Sequence, residues 1–546
     1  MKKISVLLTL IILACQQRAK AQELLIINAK IRSIQGSDRQ GDAILCKEGK
    51  IVKIGASKKL LGAFKKNGTV IDLKGKQVVY PGIMDAHCHF TGYALDAYKC
   101  NLYSAASEAD MMRTVKAYAD TNKMPYIYGR GWDQNTWAVK EFPEKIQLDA
   151  WFPDRIVILK RIDGHGILAN QYALDKAGIT AETEIEGGQI LKKNGKLTGL
   201  LIDNAMAKVE ALIPDLPQEQ SIGYLQTMEK ECFRNGLTYI VDCGLPKRQI
   251  DLLDRLYDKE VLHIGMTALL SSDSATLGRY LQYGPFHTGA LSVSGIKIYA
   301  DGALGSRGAC LLAPYTDDPH NFGTMLIPTV DVISLGYQAK QHNWQVFTHA
   351  IGDSANRAIL KIYDMVLEPN NNYRWRIEHA QVVDPADYVY FKKKGIVPSV
   401  QPTHAISDMS WAGKRLGAAR IHHAYSYKAL LDQAGYIALG TDFPVEAINP
   451  LATFYTAIAR KDSAGNPAGG FNPEGALSRE EALKGMTIWA AKSIFKEAEK
   501  GSIEVDKDAD FTILDTDLMT CQESKILKAE VMYTIVGGKI VYKKKD

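Results

Sequence analysis

The feature that most constrains the fold of this chain is a short apolar run that ends in two histidines one residue apart. Residues 78–84 are too few for a helix, and they lead through Asp85 to His87 and His89. Because side chains two positions apart project from the same face of a strand, both imidazoles can point at one metal ion. A His-x-His pair on its own is weak evidence, since such pairs also occur by accident on surfaces. The pair becomes informative if later strands also end in potential ligands.

Four later strand-like runs carry such a residue at or near their carboxyl ends. In chain order these residues are Lys297, His349, His379 and Asp442. Functional groups at the carboxyl ends of successive parallel strands are typical of a (β/α)8 barrel. Strand-like and helix-like segments also alternate through the middle of the chain, as a parallel barrel requires. The order of these residues therefore predicts a barrel with a metal centre at one end.

These residues, together with the run Pro-Gly-x-x-Asp-x-His-x-His at 81–89, resemble the amidohydrolase superfamily. Four further stretches narrow the resemblance to its YtcJ-like branch, amidohydrolase family 3: Gly-Trp-Asp-Gln-Asn at 131–135, Asp-Gly-His at 163–165, Asp-Gly-Ala-Leu-Gly-Ser-Arg at 301–307 and Gly-Thr-Asp-Phe-Pro at 440–444. The resemblance runs from about residue 23 to the C-terminus. It implies an α/β fold, in which a TIM-like metallo-hydrolase barrel carries a small β-sandwich.

Zinc is the expected cofactor, because the potential ligands are mainly imidazole and oxygen. His87 and His89 would hold one ion, and the resemblance assigns His349 and His379 to a second ion. Lys297 cannot bind metal as a protonated ammonium, which has no lone pair. In the family the lysine on this strand is typically carboxylated, and its carbamate bridges two ions. Whether the site holds one zinc ion or two therefore remains open.

An alternative role for Lys297 is that of a buried lysine paired with Asp301 or Asp442. Asp442 would itself act as general base, since a carboxylate beside a metal-bound water can accept its proton. It would also be a ligand of the first ion.

The resemblance supplies the candidate substrate-binding residues. His165 is expected to face the active site and to contact the substrate carbonyl, while Trp132 and Asp133 line the same cavity. Arg307 is a candidate anion contact for an acidic substrate. Stretches rich in Gly, Ser and Asp also occur for purely backbone reasons, so that alternative stays open.

Both ends of the chain are rich in short strand-like runs, which predicts one small β-sandwich built from both termini; two unrelated extensions are the alternative. The stretch between the first two barrel strands is much longer than a simple connection and predicts an insertion over the barrel mouth. The predicted organisation is a signal peptide at 1–21, sandwich at 22–80, barrel at 81–498 with the insertion at about 105–230, and sandwich again at 499–546.

The start of the chain is typical of an export signal. Lys2 and Lys3 precede an apolar run, and Ala19-Lys20-Ala21 is a small-x-small cleavage pattern. Lipidation at Cys15 is the less favoured alternative. The mature protein is thus expected to be periplasmic or secreted, without a transmembrane helix. A net charge of +5 with no dense basic cluster except at the C-terminus does not favour nucleic acid as a partner, and a homo-oligomer remains open.

The function predicted from these features is that of an exported metal-dependent hydrolase of a carbon–nitrogen bond, amide in type, in a small molecule. A mononuclear deaminase of the same superfamily is one alternative. It would normally place a proton-shuttling Glu soon after the third histidine, where this chain has Ile351-Gly352-Asp353. The other alternative is a catalytically inactive barrel that serves as a binding protein.

Overall fold

Eight parallel strands form a barrel in the computed structural model, which describes residues 23–34, 41–64 and 68–545. The predicted signal peptide and Cys15 lie outside the described residues. The strands neighbour one another in chain order. They are β1 (Ile83–Cys88), β2 (Leu237–Leu245), β3 (Gly265–Ser271), β4 (Leu291–Tyr299), β5 (Gln345–Ala350), β6 (Arg376–His379), β7 (Val397–Val400) and β8 (Ala438–Leu439). A short antiparallel strand, Phe286–Thr288, pairs with β4.

The barrel closes between β8 and β1 just beyond the carboxyl end of β8. The backbone N–H of Asp442 donates to the carbonyl of His87 at 2.8 Å, and that of His89 donates to Phe443 at 2.8 Å. Buried Asp85 accepts hydrogen bonds from the backbone N–H and the hydroxyl of Thr441. These contacts confirm the predicted barrel and bring the ends of its first and last strands together.

Helices cover the outside of the barrel and bury one apolar face each. In Asp353–Val366, for example, Ala355, Ile359, Tyr363 and Val366 recur at helical spacing and are buried. The outer helices are Phe90–Asp96, Gln218–Arg234, Lys247–Asp258, Ser274–Tyr280, Thr329–Gln341, Asp353–Val366, Val389–Lys394, Pro402–Ser407, Ala412–Ile421, Tyr427–Ala434, Pro450–Ala459, Arg479–Gly485 and Ile488–Ser493.

Both termini build a small β-sandwich, as predicted. Its first sheet contains Lys50–Gly55, Ala43–Lys47, Glu23–Ile27 and Thr69–Asp72, and the helix Ser57–Ala63 packs beside it. Its second sheet joins both ends of the chain through Lys30–Ile31, Val78–Pro81, Phe511–Leu514, Val531–Val536 and Lys539–Lys543. Apolar residues of the two sheets, among them Leu24, Ile44, Phe511 and Ile535, share one core.

The stability of the sandwich is expected to depend on pH through Asp517, which ties the two termini together. Its carboxylate lies 2.5 Å from Arg32 Nη2 and 3.0 Å from the hydroxyl of Tyr80. Burial alone would raise the pKa of Asp517, but hydrogen bonds from Arg32 and Lys30 hold it well below its usual value. A depressed pKa in the folded state means that this stabilisation is present above about pH 4 and is lost as pH falls through the folded pKa.

Asp517→Asn should therefore lower the free energy of unfolding at pH 7 by about 1 kcal/mol, a figure reduced for the partial exposure of the pair. The difference from wild type should narrow as pH falls below about 4. Urea unfolding at pH 7 and at pH 3 measures both values. Asp120→Asn, which changes an exposed carboxylate on the helix Glu108–Thr121, is the control. An equal deficit at both pH values would contradict the role of the ionised carboxylate.

The insertion between β1 and β2 is a separate six-stranded sheet with its own apolar core. Its strands, in sheet order, are Gly188–Lys193, Lys196–Asp203, Gly166–Ala169, Ile156–Arg161, Tyr126–Trp132 and Cys100–Asn101. The helices of this region are Glu108–Thr121, Ile146–Trp151, Gln171–Lys176 and Ala207–Glu210.

The observed sheet differs at both ends from the predicted insertion at about 105–230. It begins at Cys100, and the helix Gln218–Arg234 belongs to the barrel instead, because its buried Leu225 and Phe233 join the barrel core. The wider division into domains stays a prediction.

Two further features concern the helices and the cysteines of the described residues. Within the described residues, no helix is long and apolar enough to cross a membrane. Every cysteine in those residues is a free thiol. Cys88, between the two histidines of β1, is fully buried, and its thiol lies 3.4 Å from the carbonyl of Val241. It therefore packs in the barrel wall.

Candidate active site

The end of β1 and the residue that follows β8 form the centre of the candidate site. His87 Nε2 and His89 Nε2 lie 3.6 Å and 3.4 Å from the same carboxylate oxygen, Asp442 Oδ1. His87 is fully buried, whereas the side chain of His89 is 26% exposed and lines the cavity above. One potential ligand atom from each residue falls within 4.8 Å of the others. Two histidines and a carboxylate at this spacing can hold a divalent metal ion.

The ends of β5 and β6 bring two more histidines to the same place. The ring of His379 lies 4.5 Å from that of His349 and 4.8 Å from that of His87, measured between centroids. The backbone bends sharply here, since His379, Ala380 and Asp442 have φ values of 70°, 42° and 62°. Such conformations cost roughly 1–3 kcal/mol each and persist where the surrounding structure fixes them. The fold therefore holds the backbone of His379 and Asp442, two candidate ligands, under strain.

Lys297 lies at the bottom of this cluster, on β4. It is fully buried, and its Nζ is 3.3 Å from His87 Nε2. The alternative of an ion pair with Asp301 or Asp442 is not observed in the described part of the chain. The carboxylate of Asp301 instead accepts the backbone N–H groups of Ile351 and Gly352. The amine of Lys297 thus faces the histidines without a carboxylate partner there.

Glu378 is a site residue that the sequence reasoning missed. Its Oε2 lies 2.5 Å from His87 Nδ1, and its other oxygen accepts from Arg376 Nε at 2.6 Å. Burial alone would raise the pKa of Glu378, but the charge of Arg376 and the contact with His87 lower it to about 2. A carboxylate on Nδ1 fixes the ring of His87 and leaves Nε2 for a metal.

His404 was also missed. It lies in the helix Pro402–Ser407 after β7, with Nε2 3.1 Å from Asp442 Oδ2 and Nδ1 3.2 Å from Glu446 Oε1. Burial alone would lower the pKa of His404, but these two carboxylates raise it well above its usual value. Ligand atoms of His379, His404 and Asp442 also lie within 4.8 Å of one another. Because both ring nitrogens of His404 face carboxylates, we infer that His404 holds the side chain of Asp442 in place.

A cavity of about 270 Å³ opens above the histidines, between the barrel loops and the insertion. The expected residues Asp133 and His165 are in its wall. His165 Nδ1 lies 2.7 Å from Asp203 Oδ1. Burial alone would lower the pKa of His165, but the bond to Asp203 raises it. The insertion thus supplies polar groups to the space directly above the candidate metal ligands.

Two residues expected at the substrate site lie elsewhere. Trp132 is fully buried in the core of the insertion, where its indole N–H donates to the carbonyl of Leu159. Successive strand residues face opposite sides, so Trp132 points away from the cavity that its neighbour Asp133 lines. Arg307 is outside the cavity wall and forms an ion pair with Asp317 at 3.0 Å. The structure therefore does not support either residue as a substrate contact.

The sequence profile described as the Amidohydrolase family matches residues 69–542. The chain belongs to the amidohydrolase family. YtcJ of Bacillus subtilis (strain 168), named as a candidate amidohydrolase, is 31% identical over 92% of this chain and 96% of its own length. This similarity places the chain in the YtcJ-like branch of the family, as the sequence motifs predicted.

Two further comparisons concern the chemistry of family relatives. An N-substituted formamide deformylase of Arthrobacter pascens is 26% identical over 96% of this chain and 99% of its own length. The crystal structure of a metal-dependent hydrolase from Pyrococcus horikoshii OT3 superposes with a TM-score of 0.75 at 25% identity, covering 92% of this chain and 99% of that one. Family membership and these relatives support a metal-dependent hydrolase.

The site itself fits the metal that the family implies. Asp442 Oδ1 and His379 Nδ1 are buried and have no hydrogen-bond partner among the described residues. Buried polar atoms almost always have a partner, so two orphaned atoms in one histidine cluster are suited to a bound ligand. The donor set is chemically suitable, because imidazole nitrogen and carboxylate oxygen are common ligands of divalent metals.

The protonation of the imidazoles also suits metal binding. Burial, together with the charge of Lys297, lowers the pKa of His87 to about 4. Burial likewise lowers the pKa of His349 and of His379 well below the usual value. Neutral imidazole is the form that offers a lone pair. These three rings are therefore ready to bind metal at neutral pH.

Asp442 is anionic in this setting. Burial alone would raise the pKa of Asp442, but the hydrogen bond from His404 and the nearby imidazole of His89 hold it well below its usual range. An ionised carboxylate can accept a proton or bind a cation. The site thus combines the neutral imidazoles of His87, His349 and His379 with the charged carboxylate of Asp442.

Proposed function

We propose that this amidohydrolase-family protein hydrolyses an amide-type carbon–nitrogen bond of a small molecule in a metal-dependent reaction. The observation that carries the proposal is the buried atom Asp442 Oδ1, which has no hydrogen-bond partner among the described residues and faces the Nε2 atoms of His87 and His89. A general base beside a metal position, at the floor of a cavity, is the arrangement that hydrolysis needs.

Zinc is the proposed metal. His87, His89 and Asp442 would hold one ion, and His349 and His379 would hold a second together with a carboxylated Lys297. When bound, the metal would supply Lewis acidity and a water that loses its proton near neutral pH. Carboxylation would join Lys297 Nζ to carbon dioxide, with loss of one proton, and give an anionic oxygen ligand where the chain now has an amine.

Asp442 is the proposed general base, and its two oxygens have different tasks. Oδ2 is held by His404 Nε2 at 3.1 Å, so the side chain cannot rotate freely. Oδ1 then takes the proton of the attacking water and returns it to the leaving nitrogen. Loss of that nitrogen as a neutral amine completes the hydrolysis.

The cavity wall favours a substrate without a negative charge. Arg161 is buried between Asp133 and Asp163 and forms ion pairs with both. His404 lies between the carboxylates of Asp442 and Glu446. Each cationic side chain of the cavity wall in the described chain therefore already has a carboxylate partner. An acidic substrate would lack a counter-ion there. A neutral amide fits this surface, with His165 contacting its carbonyl oxygen.

The deformylase relative supports an amide of an amine as the substrate class, because that protein is named for N-substituted formamides. The deaminase alternative lacks the proton-shuttling Glu that would follow the third histidine. Asp353, the carboxylate nearest to that position in the sequence, accepts the backbone N–H of Leu312 at 2.8 Å. The binding-protein alternative would not require the complete set of buried ligands and their supporting carboxylates. We therefore rank both alternatives below hydrolysis.

The experiment is a panel of N-substituted formamides and other N-acyl amines, tested on zinc-loaded protein. We expect release of free amine, loss of that activity after treatment with a chelator, and its return when zinc is added back. Amino-substituted heterocycles, assayed for ammonia, form the comparison panel. Ammonia release without amide cleavage would favour the deaminase, and no turnover of any compound by metal-loaded protein would favour the binding protein.

We also propose that the protein is exported and that its signal peptide is cleaved after Ala21. The small-x-small pattern Ala19-Lys20-Ala21 supports this proposal. Lipid attachment at Cys15 remains the second route. The proposed location is the periplasm or the outside of the cell.

A further inference from the structure

Asp203 is a buried carboxylate at the point where the insertion reaches the barrel. It is the last residue of the strand Lys196–Asp203, and its side chain is 1% exposed. Its backbone has φ 54° and ψ −126°, a conformation that residues other than glycine rarely adopt. Strain of this kind persists where the surroundings fix it, and it is common at functional sites.

The barrel loop after β4 leaves space for this carboxylate. A Cβ atom at Gly302 would lie 2.3 Å from Asp203 Oδ2, and one at Gly308 would lie 2.4 Å from the same oxygen. Side chains at either position would therefore displace Asp203. Both glycines follow closely on the strand that carries Lys297. The carboxylate of Asp203, which belongs to the insertion, therefore packs against the barrel loop next to the candidate site.

The contacts of Asp203 fix the position of His165. Asp203 Oδ1 lies 2.7 Å from His165 Nδ1, and the backbone N–H of Asp203 donates to the carbonyl of His165 at 3.2 Å. The backbone N–H of His165 donates to Asp163 Oδ1 at 3.0 Å. The imidazole is 5.2 Å from the ring of His349 and lines the cavity. Since Nδ1 is occupied, Nε2 is the nitrogen left for a ligand in the cavity.

We propose that Asp203 is a positioning residue, which holds the His165 ring so that Nε2 meets the carbonyl oxygen of the bound amide. This inference rests on the proposed amide hydrolysis. A carboxylate behind an imidazole fixes its tautomer and its orientation, and a donor that is already in place stabilises the oxyanion without reorganisation. Through Asp203, the rate of the reaction would thereby depend on how the insertion packs against the barrel.

Asp203→Asn keeps the size of the side chain and removes its charge. We expect kcat to fall about 100-fold, as is usual when one oxyanion donor is impaired, with KM changed less than about 3-fold. Metal content should not change. His165→Gln should give a similar loss, and the double variant should be no worse than the poorer single variant, because both changes remove one function.

Asp387→Asn is the matched control. Asp387 is also buried and paired with a cation, since its carboxylate accepts from Arg357 Nε at 2.8 Å, but it is outside the cavity wall. It should keep the wild-type kcat. Wild-type kcat in Asp203→Asn, or additive losses in the double variant, would overturn the inference.

A proton NMR measurement tests the pairing without any substrate. A hydrogen bond from His165 Nδ1–H to a carboxylate should give a low-field proton resonance in wild type, beside that of the pair His87–Glu378, and its loss in His165→Gln assigns it. The resonance should vanish in Asp203→Asn and in His165→Gln and persist in Asp387→Asn. If the resonance assigned to His165 survives in Asp203→Asn, the inference is overturned even if amide turnover is found. An inactive wild type that shows the expected resonances would instead count against the proposed amide hydrolysis.

Discussion

Asp442→Asn should keep the fold and lose nearly all turnover, with kcat reduced about 1,000-fold or more. General-base catalysis contributes about 100- to 10,000-fold, and asparagine cannot accept a proton at neutral pH. The side chain keeps its shape, so its contact with His404 and the closure of the barrel through the Asp442 backbone should survive. Steady-state kinetics with an amide substrate and circular dichroism give the two results.

Loss of metal must be separated from loss of the base in that experiment, because Asp442 is also a proposed ligand. The variant should therefore be assayed with saturating zinc, and its bound metal should be measured on the same sample. Asp353→Asn is the control, since Asp353 is buried close to β5 but is not in the cavity wall. If fully loaded Asp442→Asn turned over at the wild-type rate, Asp442 would have to be removed from the mechanism.

Lys297→Met should lose turnover by about 100-fold or more, because the second metal position would have no bridging oxygen ligand. Methionine is close to lysine in length and suits the fully buried site, so the barrel should still fold. Protein prepared in ¹³C-bicarbonate should show a carbamate carbon signal in wild type that is absent from the variant. Wild-type activity in Lys297→Met, or no carbamate signal in wild type, would contradict a carboxylated lysine.

The grouping of the candidate ligands could be predicted from sequence because strand geometry makes it local. His87 and His89 share a face through the two-residue period of a strand, and His349 and His379 lie at or near the ends of the short apolar runs at β5 and β6. Each of these signals needs only a few adjacent residues. The barrel followed from their order, since parallel strands in a ring bring their carboxyl ends together.

The supporting residues could not be predicted in this way, because their partners are distant in the chain. Glu378 is 291 positions from His87 and gives no local signal of their contact. His404 lies three residues inside the helix that follows Gln401, not at the end of β7. The pattern that would have indicated His404 is the short run 396–400, which contains the seventh barrel strand and is followed shortly by a histidine.

Side-chain direction and an ion pair explain why Trp132 and Arg307 do not line the cavity. Trp132 and Asp133 are adjacent, so a motif that contains both cannot place both in one cavity when the local backbone is extended. Arg307 is close to the site in sequence, but Asp317 lies nearby and neutralises it. Asp203 was not recognised because its importance depends on Gly302 and Gly308, about a hundred residues later, and on a backbone conformation that sequence does not reveal.

The metal content per chain shows whether the buried histidines and Asp442 form a metal centre. Wild type and Lys297→Met should be purified with zinc and bicarbonate, dialysed, and measured by elemental analysis. We expect about two zinc ions per chain in wild type and fewer in the variant, as a two-metal centre requires. Wild-type protein that retains no metal after dialysis would contradict it.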